Sequence, residues 1–440
     1  MSTPDAARTA LPSGIARRLA AHGLLRAGLI TYVFSSLTLV SNLVTGVVMA
    51  RALGPSGRGV TFALVTVSQL AGFLFAAGVA QSLAYHLSRR PADGPSLLTT
   101  WIVMLVPLAA IAIGVAELLL PVIFANDDEA VEIGRWFMFA IVLVVGLELN
   151  YGALLGAHEF VLYNALRLMQ PTLTAVGFVL LWRLDDLTVQ SALITASAAS
   201  GLAIAVGLSR ALRKIGLGRF DGRLGRAGLW YGVRGQGSTV ANQVTARLDV
   251  AMLPAFVSSA SVGLYSVATS VSLIVYQLAN TFAGLVMPAA ARDERRGTAK
   301  VVLSFWAAMA VAIVMALAIA LVARPLLGLI YGDDFEDAAT SLLLLLPGGV
   351  LFAGASILNA GIYAAGRPFT ATCTQILGML VTVVGLVSFL SSGGVTAAAI
   401  VSSASYATIF VASLLAFRHV SGLPWRGLVP TPGRVRTLLR

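Results

Sequence analysis

Charge is scarce in this 440-residue chain, with Asp, Glu, Lys and Arg together at 11% against roughly 25% in soluble domains. A soluble fold needs a wetted surface, so the shortage excludes a soluble enzyme or binding module. Cysteine is limited to Cys373, which excludes an intramolecular disulfide and any cysteine-based metal cluster. Lysine is limited to Lys214 and Lys300. A phosphate-binding loop requires Gly-Lys-Ser/Thr, but these lysines follow Arg213 and Ala299, so ATP hydrolysis by this chain is excluded. His22, His86, His158 and His419 are too scattered for a metal site, and the sequence implies no cofactor. No loop is long enough to hold a catalytic domain.

What is abundant is apolar. Hydrophobic residues make up 58% and the mean hydropathy is +0.88, the signature of an integral membrane protein. A helix needs about 20 mostly apolar residues to cross the hydrocarbon core. Twelve stretches satisfy this: 28–50, 60–86, 97–123, 133–156, 161–184, 188–210, 229–257, 262–287, 301–323, 338–363, 368–390 and 395–417. The first follows Arg8, Arg17, Arg18 and Arg26 but is too long for a signal-peptide core, so it is expected to be an uncleaved helix.

The net charge of +11 and pI near 10.4 could point to nucleic acid, but the position of the charges points to membrane orientation. With the N-terminus in the cytoplasm, 22 of the 30 basic residues fall in inner segments and 5 in outer ones. The acids Asp127, Asp128, Glu129, Glu132, Asp185, Asp186, Asp333, Asp334, Glu336 and Asp337 fall outside. Both termini are therefore expected to be cytoplasmic. The basic loops meet anionic headgroups, and no nucleic-acid partner is expected.

The chain repeats itself. LGPSGRGVTFALVTVSQLAGFL from Leu53 aligns with VSSASVGLYSVATSVSLIVYQL from Val257, placing Gly59 over Gly263. PVIFANDD from Pro121 resembles PLLGLIYGDD from Pro325, and LNYGALLGAHEF from Leu149 resembles LNAGIYAAGRPF from Leu358. All three offsets lie near 204–209 residues, so the pattern predicts a duplication. The expected organisation is a basic N-terminal segment (1–27), an N-lobe of six helices (28–210), a basic cytoplasmic linker (211–228), a C-lobe of six helices (229–417) and a basic tail (418–440). Parallel repeats of this kind bind substrate where the halves meet.

Ionisable groups inside spans are costly and are therefore candidate functional groups. The fifth span carries Asn164 and Arg167, with Arg167 about 9 Å beyond the inner edge at helical rise. The seventh carries Arg234, Gln243, Arg247 and Asp249, and the fourth carries Glu148 and Asn150. Asn42, Gln69, Gln81, Gln277, Asn280, Asn359 and Gln375 add polar positions that often hydrogen-bond helices together. Collectively they predict a polar cavity. Its arginines have the planar fork that matches phosphate oxygens.

The motifs RALGPSGRGVTFAL, YNALRLMQP (Tyr163–Pro171), RLDVAML (Arg247–Leu253), VGLYSVA (Val262–Ala268), LIYGDDF (Leu329–Phe335) and LNAGIYAAGRP (Leu358–Pro368) occur in the order in which they resemble the oligosaccharide flippases of bacterial polysaccharide export. These belong to the superfamily shared with multidrug extruders (MATE) and lipid II flippases. The resemblance implies an all-α fold of twelve transmembrane helices in two pseudo-symmetric six-helix lobes around a central cavity. It implies no enzymatic activity but transport of an undecaprenyl-diphosphate-linked oligosaccharide from inner to outer leaflet by alternating access. The site residues it implies are Arg167, Arg247 and Asp249; the intramembrane polar positions read above add Asn164, Gln243, Arg234, Glu148 and Asn150 as candidates. The implied setting is the bacterial inner membrane, with functional coupling to glycosyltransferases and a polysaccharide polymerase. The alternatives are a cation-coupled multidrug antiporter and a lipid II flippase.

Overall fold

The structure is a computed structural model. It describes the backbone of residues 13–125, 127–291 and 294–428 and the side chains of 33–125, 127–277 and 297–428. Asn280 and the basic residues before Val33 therefore lie outside the described side chains. Every regular element among the described residues is helical. In chain order these are α1 (Ser13–Phe75), α2 (Val79–Arg89), α3 (Gly94–Ile123), α4 (Asp128–Phe137), α5 (Ile141–Gly156), α6 (Phe160–Arg183) and α7 (Val189–Ile215). They continue with α8 (Gly222–Met252), α9 (Ser259–Ala291), α10 (Glu294–Leu321), α11 (Ala323–Tyr331), α12 (Ala338–Ala364) and α13 (Pro368–Ser421).

Nine helical stretches among the described residues are long and apolar enough to cross a membrane. Two of the nine are double crossings. Within α1, Gly54 has φ +64°, which reverses the chain, and Pro55 then opens the next helix in its first turn, where no backbone N–H is needed. Within α13, Gly394 at φ +50° does the same. The twelfth crossing is α8, whose 31 residues span about 46 Å but include Arg223, Arg226, Arg234, Arg247 and Asp249. The described residues thus make twelve crossings. The fourth crossing is α4 and α5 joined by a 3₁₀ turn, Met138–Ala140. Apolar side chains such as Leu118, Leu321 and Phe369, 77–85% exposed, form the belt that lipid covers.

Crossings one to six and seven to twelve form two pseudo-symmetric lobes. Asn150 and Asn359, matched by the repeat, are both buried polar struts. Asn150 Nδ2 donates to the Ile204 carbonyl at 3.0 Å, and Asn359 Oδ1 accepts from Thr374 Oγ1 at 3.2 Å. The lobes meet along α1 with α9 and along α2 with α8. The second crossing breaks between α1 and α2 at Ala77 and Gly78, both at positive φ, and there α8 comes so close that a Cβ on Gly78 would stand 2.3 Å from the Gly232 carbonyl carbon.

The connection between lobes is shorter than its basic composition predicts. Gly216, at φ +81°, ends α7, and the Asp221 carboxylate accepts from the Arg223 and Leu224 amides to cap α8. Only 216–221 are non-helical, and they are seated on the start of α3. Gly218 N donates to Pro95 O (3.1 Å) and Thr99 Oγ1 (3.0 Å), and Asp221 N donates to Thr100 Oγ1 (2.9 Å). The membrane face carrying this connection is called the linker face below, and its opposite the far face.

Candidate functional site

A cavity of about 90 Å³ opens between the lobes. Phe34, Ser35, Thr38, Leu39 and Asn42 of the first crossing line it, with Asn164 and Arg167 of α6 and Gln277 of α9. At 1.5 Å per residue, Gln277 stands about 27 Å from the far-face start of α9 and Arg167 about 10 Å from the linker-face start of α6. The cavity therefore occupies the half of the membrane nearer the linker face. Ser35, Thr38 and Asn42 are spaced i, i+3 and i+7, which puts them on one helix face. The Ser41–Thr172 hydroxyl pair at 3.0 Å ties that crossing to α6, and Gln170 Nε2 donates to Ser200 Oγ at 3.4 Å, holding α6 on α7.

Arg167 is the cation of this cavity, and its side chain is exposed there. Its guanidinium lies 5.6 Å from the Tyr163 ring centroid, with Nη1 3.5 Å from the Tyr163 hydroxyl. Tyr163 packs edge-on against Tyr151, with centroids 5.5 Å apart and planes at 80°. Glu148, one turn before Tyr151 on α5, is half-buried and within electrostatic reach of Arg167. Asn164, one turn before Arg167, donates from Nδ2 to the Phe160 carbonyl at 2.9 Å. Arg167, Asn164 and Glu148 are thus brought together.

The remaining sequence-predicted residues lie elsewhere. Asn150 is the strut described above. Arg234 is exposed, with its guanidinium 3.9 Å from the Trp230 ring centroid. Gln243 is half-buried on α8 away from the cavity wall. Asp249 belongs to the interior of the second lobe, where it accepts from Tyr265 Oη (2.5 Å), Ser402 Oγ (2.9 Å) and Val250 N (2.7 Å). Arg247 is within electrostatic reach of Asp249 and of Tyr406, and Tyr406 stacks on Phe352, which stacks on Tyr276.

Sequence reasoning missed the closure of the far face. Arg51 donates from Nε to Ile330 O (2.9 Å) and from Nη2 to Leu329 O (2.5 Å), capping the C-terminal end of α11. Arg58, 1% exposed, donates to Ser266 Oγ at 2.8 Å and to the Gly46 carbonyl, and lies 5.3 Å from the Tyr331 ring centroid. Ser259 Oγ donates to Asp127 Oδ2 at 2.7 Å. Between them, Gly59 and Gly263 cross so tightly that a Cβ on Gly59 would lie 1.8 Å from Ser259 O. One signal was legible: the repeat pairs Arg58 with Val262, an unmatched cation in an otherwise matched turn. At the linker face, Glu159 bridges Arg210 (2.8 Å) and Lys214 (2.7 Å). The hydrogen bond from Lys214 holds its carboxyl below the usual carboxylate range, with Arg210 adding to the effect.

The family model of the polysaccharide biosynthesis protein matches residues 24–294. Among solved structures, the chain is similar to the lipid II flippase MurJ in an inward closed conformation, with TM-score 0.75 and 13% identity over 94% of this chain and 92% of that one. It is also similar to a multidrug resistance MATE family transporter of the MOP superfamily in an inward-facing conformation, with TM-score 0.64 and 16% identity over 90% and 98%. A third is the Vibrio cholerae MATE transporter VcmN in its bent form, with TM-score 0.57 and 14% identity over 90% and 97%. At these identities the likeness is one of fold. No curated protein matches the sequence.

Proposed function

The chain belongs to the polysaccharide biosynthesis protein family, and from that premise we propose that it flips a lipid-linked oligosaccharide, carried on undecaprenyl diphosphate, from the inner to the outer leaflet. Family and fold make it a multi-pass membrane protein of the flippase and transporter kind. The observation that carries the substrate is Arg167, an exposed guanidinium inside an interlobe cavity whose other polar lining is hydroxyls and amides, beside Phe34 and Leu39. A guanidinium fork suits the diphosphate, while Ser35, Thr38, Asn42, Asn164 and Gln277 suit sugar hydroxyls. The basic excess at the linker face supports placing that face, and both termini, in the cytoplasm of a bacterial cell. The cavity then opens toward the leaflet where lipid-linked sugars are assembled, which fits functional coupling to glycosyltransferases before the step and a polymerase after it.

Transport proceeds by alternating access. The headgroup enters from the linker side while Arg51, Arg58 and the Gly59–Gly263 crossing keep the far side shut. Rocking of one lobe against the other then exchanges the open side. Headgroup binding drives the exchange only by the difference between its affinities for the two states. Arg247 and Asp249 act in this reading by holding the second lobe rigid.

A leaflet-specific assay of lipid-linked oligosaccharide in cells lacking the protein tests the proposal. Substrate should accumulate in the inner leaflet and disappear from the outer one. Unchanged leaflet distribution together with increased sensitivity to cationic drugs would favour the second reading, a cation-coupled antiporter, for which Glu148, within electrostatic reach of Arg167, is the candidate carboxylate.

A further inference from the structure

Each lobe brings one cation and one anion within electrostatic reach of each other inside its helices, Arg167 with Glu148 and Arg247 with Asp249. An isolated charge there is costly, so opposite charges are expected in pairs. The two acids are nonetheless held in opposite ways. Asp249 is fixed by three donors, from Tyr265, Ser402 and Val250. Glu148 has no hydrogen-bond donor among the described residues and forms no ion pair with Arg167, although each is within electrostatic reach of the other. Their depths agree: Glu148 is eight residues from the linker-face end of α5 and Arg167 seven from that of α6, about 12 and 10 Å. Tyr151 and Tyr163, packed edge-on, fill the space beside them.

We propose that Glu148 is the resident counter-anion of Arg167, which the substrate's diphosphate displaces on arrival and which reclaims the arginine on release. This rests on the reading of Arg167 as the diphosphate's partner. A bare guanidinium in a low-dielectric cavity would hold a diphosphate too tightly to let it go, and transport requires binding weak enough to reverse. A neighbouring carboxylate lowers the affinity without removing the fork. The looseness of Glu148 is what suits it to the exchange. A carboxylate locked like Asp249 could not yield. Glu148 is thus a positioning residue that tunes affinity against turnover.

The test uses the full chain in nanodiscs of uncharged phosphatidylcholine, with fluorescently labelled farnesyl diphosphate as probe and the labelled alcohol as control. Relative to wild type, Glu148→Gln should bind the diphosphate about tenfold more tightly, the order of a single close charge pair. It should also flip labelled undecaprenyl-diphosphate sugar more slowly in liposomes. Glu148→Asp, which withdraws the charge by one methylene and keeps the fold if Glu148→Gln does not, should tighten binding by a smaller factor. In an Arg167→Gln background, Glu148→Gln should tighten nothing. Unchanged or weaker binding by folded Glu148→Gln and Glu148→Asp, or equal tightening without Arg167, overturns the counter-anion role and leaves Arg167 as binder. Equal binding by wild type and Arg167→Gln instead removes the underlying reading, and the counter-anion role with it.

Discussion

Two arginines, each within about two turns of a helix end at a membrane face, look alike in sequence, yet Arg167 and Arg247 are set up for different work. Arg167 is exposed in a cavity and its one hydrogen bond among the described residues is a long one to Tyr163, so removing it breaks no buried hydrogen-bond network and leaves Glu148 beside a cavity rather than sealed in the core. Arg167→Gln should leave abundance near normal and reduce flipping on the order of ten- to a hundredfold, the equivalent of about 1.5–3 kcal/mol for hydrogen bonds to a charged group. Arg167→Lys should recover only part, since an ammonium lacks the fork. Quantitative immunoblots beside the leaflet assay check both. Asp249→Ala should behave in the opposite way. It strands the Tyr265 and Ser402 hydroxyls and the charge of Arg247, and breaking a buried pair costs about 3–5 kcal/mol. Loss of folded protein, read as lower abundance and a lower thermal midpoint in detergent, is expected before any specific transport defect. That Asn164, Arg167 and Glu148 lie near one depth was legible, because helical spacing on two successive crossings places them there. The burial of Arg58 was not, because it depends on Ser266 and Tyr331, more than 200 residues away.

At the level of elements, the apolar stretches of the sequence match the twelve crossings among the described residues, the seventh being α8, whose arginines and Asp249 keep it out of the nine stretches apolar enough to be marked by composition. The ends of α7 and α8 were misjudged for a physical reason. Arg210, Arg213 and Lys214 read as a loop, yet they form the last turns of α7, where cations suit the helix dipole. The linker face is tied there by Glu159 between α5 and α6, which meets Arg210 and Lys214 of α7. Its carboxyl lies below the ordinary 4.5 because Lys214 hydrogen-bonds to it first and Arg210 adds to that. A depressed carboxylate contributes stability that is fully present above its unfolded value and is lost as pH falls through its folded one. The difference in thermal midpoint between wild type and Glu159→Gln should therefore be flat from pH 8 to about 5 and fade only below the normal carboxylate range. A difference that faded between pH 8 and 6 would mean that the tie does not depend on this carboxylate.

For the whole molecule, the contacts on the far face decide which way the protein rests. Closure there rests on asymmetric groups laid over a symmetric crossing. Gly59 and Gly263 permit close approach, but a glycine contact alone gives little energy, and the direction comes from Arg51 and Arg58 reaching α11 and α9 from the other lobe. Arg51 contributes two charged hydrogen bonds to backbone carbonyls at the negative end of α11. Taking about 1 kcal/mol for each after partial exposure, its loss should shift the closed-to-open ratio by roughly thirtyfold. Ser259→Ala, which removes one bond to Asp127, should shift it roughly fivefold on the same scale. Spin labels at Ser56 and at Ser261, near that crossing on the two lobes, should give a short distance in the resting wild type and a second, longer population once substrate is added. Arg51→Gln should raise the longer population without substrate and should do so more than Ser259→Ala. A distance distribution that Arg51→Gln leaves unchanged, in protein that still flips lipid, would place the barrier to far-face opening in the glycine crossing itself. The rocking of the lobes would then be governed by backbone packing, and Arg51 would serve only to fix α11.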